Sequence, residues 1–240
     1  MAKLTGLPPE IRNSIYDLLI ILDEPIPIAS PRKEHVRKKQ EHSSLASLLR
    51  VNKQINQEAK TLFYARSTFI VGNGSWGSTS QVNVQALKEF IRRVPKDCIA
   101  LIHKIELDIC LVRFYNRHRN FHRVRKEDIS QLEMVSRALA KYFKGLESVS
   151  AAMVNIITYP HTDSRGWLEY PIHGNVGVLA KPIWKILTLP ALKQLYFKYE
   201  SSPDIKTLVE AVLEGNEEAK DKVKMMKQDG SIVPLLTVTP

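Results

Sequence analysis

Helix-then-strand units that recur about every 45 residues constrain the fold of this chain more than any other feature of its sequence. Amphipathic helical patterns at 84–94, 129–143 and 180–187 are followed by apolar strand patterns at 103–111, 146–157 and 192–199. A crossover helix returns the chain to the same end of a sheet, so strands joined in this way lie parallel. The units therefore predict an α/β protein with an irregular parallel or mixed sheet, with α+β as the alternative class.

Two of the strand patterns are preceded by similar phrases, Lys144–Val149 and Leu189–Leu195. Their similarity favours a loosely leucine-rich-repeat-like curve, although no standard repeat consensus fits their spacing. An ordinary α/β layer explains the same pattern equally well.

The N-terminal third has a different pattern. A helix is expected from Pro8 to about residue 22, a proline-rich loop over 23–43, and a second helix from Ser43 or Ser44 to about residue 63, with a strand at 68–71. We therefore expect a helical element with its loop and first strand at 1–71 and an irregular α/β part at 72–240, with one continuous domain as the alternative. A helix is expected at 203–213, an exposed helix at 214–229 and an apolar tail at 231–240 that forms an edge strand or stays mobile.

The net charge of +10 is concentrated in two segments. Residues 32–42 carry a net charge of +3 and residues 113–126 a net charge of +6, which leaves +1 for the rest of the chain. This distribution indicates two local basic patches on a nearly neutral body.

The cellular environment is predicted from what the sequence lacks. No apolar run approaches the roughly 20 residues that cross a bilayer, and no secretory signal pattern is present. Two cysteines, Cys98 and Cys110, are typical of a reducing compartment. We expect an intracellular protein, cytoplasmic or nuclear or both, without membrane partners. The cations at 32–39 are either a nuclear-import signal or a solvated loop.

No pattern predicts catalysis, a metal or a cofactor. Residues 72–77 read G-x-G-x-x-G, but no helix pattern follows directly, so a glycine-rich loop is the better interpretation. His118 and His122 are four residues apart, yet no third ligand lies beside them. Cys98 and Cys110 are interpreted as structural cysteines. We therefore predict a protein that is not an enzyme.

The segment 113–126 interleaves cations with aromatic residues, a composition suited to single-stranded nucleic acid, because cations neutralise phosphates and rings stack on bases. An acidic protein surface is an alternative ligand, and a solvated loop is an alternative structure. The candidate residues are Arg113, Tyr115, Arg117, Arg119, Arg123, Arg125 and Lys126.

Three stretches carry a resemblance to a known family. They read LPPEIRNSIYDLL at 7–19, LLRVNKQINQEA at 48–59 and LFYARSTF at 62–69. This order resembles a large group of filamentous-fungal proteins that begin with an F-box-like element. The resemblance covers roughly residues 4–71.

An F-box implies a helical module that docks on a Skp1-type adaptor of a cullin ubiquitin ligase, while the α/β part recruits an unknown substrate protein. By matching position, the docking face would be formed or supported by Leu7, Pro8, Ile11, Ile15, Leu18, Leu48, Leu49 and Val51. The alternative is that both helices pack on the sheet and bind nothing.

Overall fold

In the computed structural model of the chain, the described residues are 4–20, 25–28, 47–72, 84–116, 121–158, 167–171, 177–199, 203–214, 217–227 and 231–233. They form eight α-helices: α1 Pro9–Ile20, α2 Lys53–Arg66, α3 Val84–Arg93, α4 Lys96–Ala100, α5 Lys126–Tyr142, α6 Gly177–Leu187, α7 Pro203–Leu213 and α8 Glu217–Lys222. Their nine strands are β1 Ile26–Pro27, β2 Thr68–Gly72, β3 Lys104–Asn116, β4 Phe121–Arg125, β5 Ser148–Thr158, β6 Trp167–Pro171, β7 Gln194–Tyr199, β8 Val223–Lys227 and β9 Ile232–Val233.

The strands make one sheet whose main path runs β1-β2-β3-β5-β7-β8-β9. The pairs from β1 to β8 along this path are parallel, and only β9 closes it antiparallel against β8. The prediction of an α/β fold with a parallel or mixed sheet is confirmed. Strands from both sides of residue 71 belong to this one sheet.

Along the main path from β1 to β8, each strand lies beside the one that precedes it in the path and further in the same direction across the sheet. This order determines on which face of the sheet the helices lie. Crossovers of a single hand that always step the same way leave every helix on the same face of the sheet. Accordingly, one core contains the inward side chains of the strands, such as Phe69, Leu107 and Phe197, together with those of α3 to α8. The opposite face carries half-exposed residues such as Ser150 and Tyr196.

The start of each central strand is held by the strand beside it. The carbonyl of His103 accepts hydrogen bonds from the amides of Glu147 and Ser148, both at 3.0 Å. The carbonyl of Glu147 accepts in the same way from Lys193 at 2.8 Å and Gln194 at 3.1 Å. The two similar phrases of the sequence therefore form equivalent entries into neighbouring parallel strands.

Two predicted segments need correction because they contain strands. Ile26 and Pro27 form β1 inside the predicted 23–43 loop. The stabilisation gained by burying Ile26 and Ile28 exceeds the cost of placing prolines in and beside the strand. Proline is tolerated there because β1 is the edge strand of the sheet that the described residues form. The predicted exposed helix at 214–229 is instead the short α8 followed by β8, which buries Val223 and Met225 against the core.

The basic segment 113–126 is also more ordered than a loop. β3 continues to Asn116, beyond the end of its partner β2, and β4 pairs antiparallel with this extension. β6 pairs in turn with β4. Together with the long β5, these strands make a ribbon that extends the sheet. Residues 117–120 lie outside the described residues.

Candidate functional site

One face of α1 packs on α2 and anchors the helix. Arg12, Tyr16 and Ile20 lie at successive i, i+4 positions and are buried. They meet Ile55 and Ala59 of α2 in a small apolar cluster separate from the main core. This packing fixes the orientation of α1, and with it the direction of its other face.

A polar network ties the same two helices together. Arg12 donates from Nε to Glu58 Oε2 at 2.9 Å and from Nη2 to Glu58 Oε1 at 2.8 Å, a two-pronged ion pair. Tyr16 Oη and Gln54 Nε2 donate to the same carboxylate at 2.9 and 3.0 Å. These donors, Arg12 foremost, lower the pKa of Glu58 to about 2.

The predicted second helix is interrupted: residues 47 and 48 are helical, residues 49–51 form a turn, and α2 begins at Lys53. Asn52, the polar exception in that pattern, is the N-cap of α2: its Oδ1 accepts from the amide of Ile55 at 2.9 Å. Asn56 Nδ2 reaches back to the carbonyl of Leu49 at 2.6 Å and holds the preceding turn. The prediction of one continuous helix from 43 to 63 is therefore wrong, because the asparagine side chain satisfies an amide at the helix start.

Replacing the cap should weaken α2. We expect Asn52→Ala to lower the free energy of unfolding by about 1 kcal/mol, because an amide at the helix start loses its acceptor. Urea unfolding at neutral pH measures this. Asn52→Asp keeps an acceptor oxygen and should stay within a few tenths of a kcal/mol of the parent. Equal losses in both variants would contradict the capping role.

The remaining face of α1 is apolar and exposed. Leu18 is 86% exposed, Ile11 49% and Leu19 43%, while Ile15 is half-buried. Val51, in the turn before α2, is 59% exposed. Ile11, Ile15 and Leu18 follow helical spacing, so they form one stripe beside the anchored face. A helix with one face held and an apolar stripe free has the form of a docking helix.

The eight residues predicted for docking divide between surface and interior. Pro8 is exposed and Leu7 half-buried, which leaves both beside the start of α1. Leu48 is buried in the α1–α2 cluster and Leu49 is half-buried against it. The structure thus exposes Ile11, Leu18 and Val51, whereas Leu48 is buried in the cluster with Tyr16 and Ile20.

The predicted nucleic-acid segment lies in the β3–β4 ribbon. Arg113 pairs in register with Val124, and Arg123 pairs with Phe114. Because successive strand positions alternate between faces, Arg113 and Tyr115 take positions on one face of the ribbon, and Arg123 and Arg125 on the other. The backbone thus divides the predicted patch over two faces. Arg117 and Arg119 lie outside the described residues, and Lys126 begins α5.

A depression of about 530 Å³ lies on the face of the sheet opposite helices α3 to α8. Ser148 and Ser150 of β5 line it, with Lys104 to one side and Tyr196 to the other. At its rim Lys193 Nζ lies 2.9 Å from Glu147 Oε2, and this contact lowers the pKa of Glu147. The surface mixes hydroxyl, amide and charged groups, which suits recognition of a polar chain.

The other motifs do not assemble into a site among the described residues. Cys98 is fully buried, and burial raises the pKa of its thiol. Gly72 ends β2, while the rest of the glycine-rich phrase and His118 lie outside the described residues. No three metal-ligating side chains cluster within the described ranges. Nor does any helix in those ranges combine the length and apolarity needed to span a membrane.

The Arg12–Glu58 network is a feature of the candidate site that we do not predict from the sequence. Its two partners lie 46 residues apart, and both belong to stretches that read as ordinary helix surface. Tyr16 could have indicated that a second face of α1 is buried, because it is a large side chain that lies beside the apolar stripe rather than within it. In comparisons with known proteins, no family model, no curated protein and no solved structure matches this chain.

Proposed function

We propose that this chain is a non-enzymatic interaction protein that docks on a Skp1-type adaptor of a cullin ubiquitin ligase through the exposed stripe of α1. The observation that carries the proposal is the 86% exposure of Leu18 on a helix whose opposite face is anchored by buried Arg12 and Tyr16. Exposed leucine and isoleucine on an anchored helix are typical of groove-binding helices. The resemblance of residues 7–19 to the first helix of an F-box supports a Skp1-type adaptor as the partner.

Anchoring lowers the entropy cost of docking. The Arg12–Glu58 pair and the burial of Tyr16 already hold α1 in one orientation, so binding does not have to order the helix. Ile11 and Leu18 then act as apolar anchors, with Val51 extending the contact from the turn before α2. The face of the sheet opposite helices α3 to α8, with its depression of about 530 Å³, is the surface that we assign to the substrate protein.

The test is binding of purified Skp1-type adaptor by calorimetry. We expect the double variant Ile11→Glu, Leu18→Glu to weaken binding about 100-fold, because two anchor side chains become charged where they must be desolvated. Ile232→Glu is the matched control, since Ile232 is 54% exposed on β9, far along the sheet from α1. The control should bind like the parent.

Two outcomes would end the proposal. One is a parent protein that fails to bind the adaptor at all. The other is a double variant that binds as tightly as the control. Both variants replace exposed side chains, so their thermal unfolding should match that of the parent and exclude a folding defect.

A further inference from the structure

Three neighbouring helices present cations to solvent. α3, α5 and α6 lie side by side in the helical layer. Each carries an exposed like-charge pair four residues apart: Lys88 with Arg92, Arg137 with Lys141, and Lys181 with Lys185. Such pairs destabilise a helix by a few tenths of a kcal/mol, because their charges repel one turn apart. The same unfavourable pair on each of three adjacent helices points to a role outside folding.

Acids are few on this surface and are already engaged. Glu89 pairs with Arg93 at 3.7 Å, and Glu133 pairs with Arg137 at 2.9 Å. The exposed acids of the layer concentrate instead on its far end, in α7, α8 and the turn that follows α7, at Glu210, Glu214, Glu217, Glu218 and Asp221. The helical layer is therefore cationic at one end and acidic at the other.

A cleft between α5 and α6 gathers three of the cations. It has a volume of about 320 Å³ and is lined by Arg137, Lys181 and Lys185, with Glu133 and Pro182. Glu133 is bonded to Arg137, whereas Lys181 and Lys185 have no ion-pair partner in the part of the chain that the structure describes. Two ammonium groups one turn apart are thus open to an anion.

We propose that this surface binds the phosphate backbone of a nucleic-acid duplex, independently of base sequence. Lysine is depleted in protein–protein interfaces, whereas interfaces with nucleic acid are polar and strongly positive. A membrane surface fits less well, because the apolar sides of α3, α5 and α6 are buried against the sheet. The inference does not depend on adaptor docking, which uses α1 and the turn before α2 and none of the cations of α3, α5 and α6.

A duplex fits better than a single strand. Single-strand binding relies on bases that stack on open aromatic rings. Among the described residues, no aromatic ring lines the α5–α6 cleft. Nearby, Tyr142 has the ammonium of Lys141 over its ring at 5.1 Å, and Trp184 Nε1 donates to the carbonyl of Val212 at 2.8 Å, which directs that ring toward α7. Met134, Tyr142 and Trp184 of α5 and α6 are 36–40% exposed, but none of them lines the cleft. In the cleft, Arg137, Lys181 and Lys185 outnumber the single carboxylate of Glu133, which suits contact with phosphates.

The experiment is fluorescence anisotropy with labelled duplexes of about 20 base pairs, one DNA and one RNA, between about 50 and 200 mM salt. Wild type should bind with an affinity that falls steeply with salt. The triple variant Arg137→Gln, Lys181→Gln, Lys185→Gln should lose about tenfold or more in affinity and lower the salt slope by nearly 3, because each of the three lost phosphate contacts removes about 0.9 of a released ion. Tighter binding of one of the two duplexes would show whether DNA or RNA provides the phosphate backbone that this surface binds.

The matched control removes the same charge from another surface. Lys104→Gln, Lys224→Gln, Lys227→Gln takes three cations from the strands, and this triple should bind within about twofold of the parent. Thermal unfolding of the helix triple should be unchanged or slightly improved, because it removes repulsive pairs. The Ile11→Glu, Leu18→Glu variant should bind duplex normally, so failure of adaptor docking and failure of duplex binding are separable.

Several results would overturn the proposal. Equal losses in the two triples would show attraction to net charge alone. Parent-like binding by the helix triple, with loss on neutralising Arg123 and Arg125, would transfer the contact to the β3–β4 ribbon. Tighter binding of polyglutamate, or of vesicles that contain phosphatidylserine, with the same dependence on Lys181 and Lys185, would assign the surface to an acidic protein or a membrane.

Discussion

Replacing Gly145 with alanine is expected to destabilise the protein by about 3 kcal/mol, the upper end of what overpacking costs. A β-carbon at Gly145 would lie 2.1 Å from the carbonyl oxygen of Ala100. That oxygen belongs to the backbone at the end of α4 and cannot rotate away, so the α5–β5 turn or α4 must move. For a chain of this length, the melting temperature should fall by about 6–12 °C.

The effect should be large because Gly145 stands at the entry to the centre of the sheet. Its carbonyl lies 2.8 Å from His103 Nδ1, and two residues later the amides of Glu147 and Ser148 bond to the carbonyl of His103. A displaced turn would pull these contacts apart and disturb the pairing of β5 with β3.

Gly6→Ala is the matched control for this prediction. No atom lies within 4 Å of where its β-carbon would be, so its stability should be unchanged or rise by a few tenths of a kcal/mol. Chemical unfolding of the parent and both variants provides the measurement. A Gly145→Ala protein within about 0.5 kcal/mol of the parent would show that the turn yields without cost.

Glu58→Ala is expected to lower the free energy of unfolding by about 2 kcal/mol, since it leaves a guanidinium and a tyrosyl hydroxyl between two helices without their acceptor. The carboxylate side chain is 27% exposed, so solvent screening keeps the loss below that of a fully enclosed ion pair. The variant should also weaken adaptor binding, because α1 loses part of its anchor.

Glu133→Ala provides the comparison, since it removes another Arg–Glu contact of 2.9 Å that lies on the helix surface. We expect it to change stability by less than about 0.5 kcal/mol. Equal losses in the two variants would contradict the special position of Glu58. Urea unfolding of both proteins at neutral pH makes the comparison direct.

The stability of the wild type should also depend on pH through Glu58. Its pKa falls from 4.5 to about 2 on folding, so the unfolded chain takes up the proton first as the solution becomes acidic. The stabilisation is present above pH 4.5 and is lost as the pH falls toward about 2. The Glu58→Ala variant should show a shallower decline over that window, and parallel curves for the two proteins would exclude this linkage.

Local patterns in the sequence predict most of the framework. Strand β2 and helices α3, α5, α6 and α7 lie within a few residues of their expected positions, because apolar periodicity reports which side of an element is buried. The predictions are wrong where the local sequence pattern favours one structure and the tertiary environment another. β8 mixes Lys with apolar residues in a run that also suits a helix. β1 contains a proline, which argues against a strand.

Local sequence patterns predict the candidate surfaces less well than they predict the fold. The sequence predicts Ile11, Ile15 and Leu18 as one apolar stripe, but the basic patch that it predicts at 113–126 is divided by the backbone between two faces of a ribbon. The cations of α3, α5 and α6 carry little net charge in any short stretch. They form a patch only because the strand order places these three helices side by side.

By itself, the sequence determined the alternation of helices and strands and the parallel sheet, since both depend on local periodicity and on the length of the crossovers. Only the tertiary structure decided which side of α1 is hidden. Arg12 and Tyr16 turn inward because Glu58, from a distant part of the chain, offers both of them an acceptor. Leu18 and Ile11 are therefore left at the surface, contrary to what hydrophobicity alone would favour.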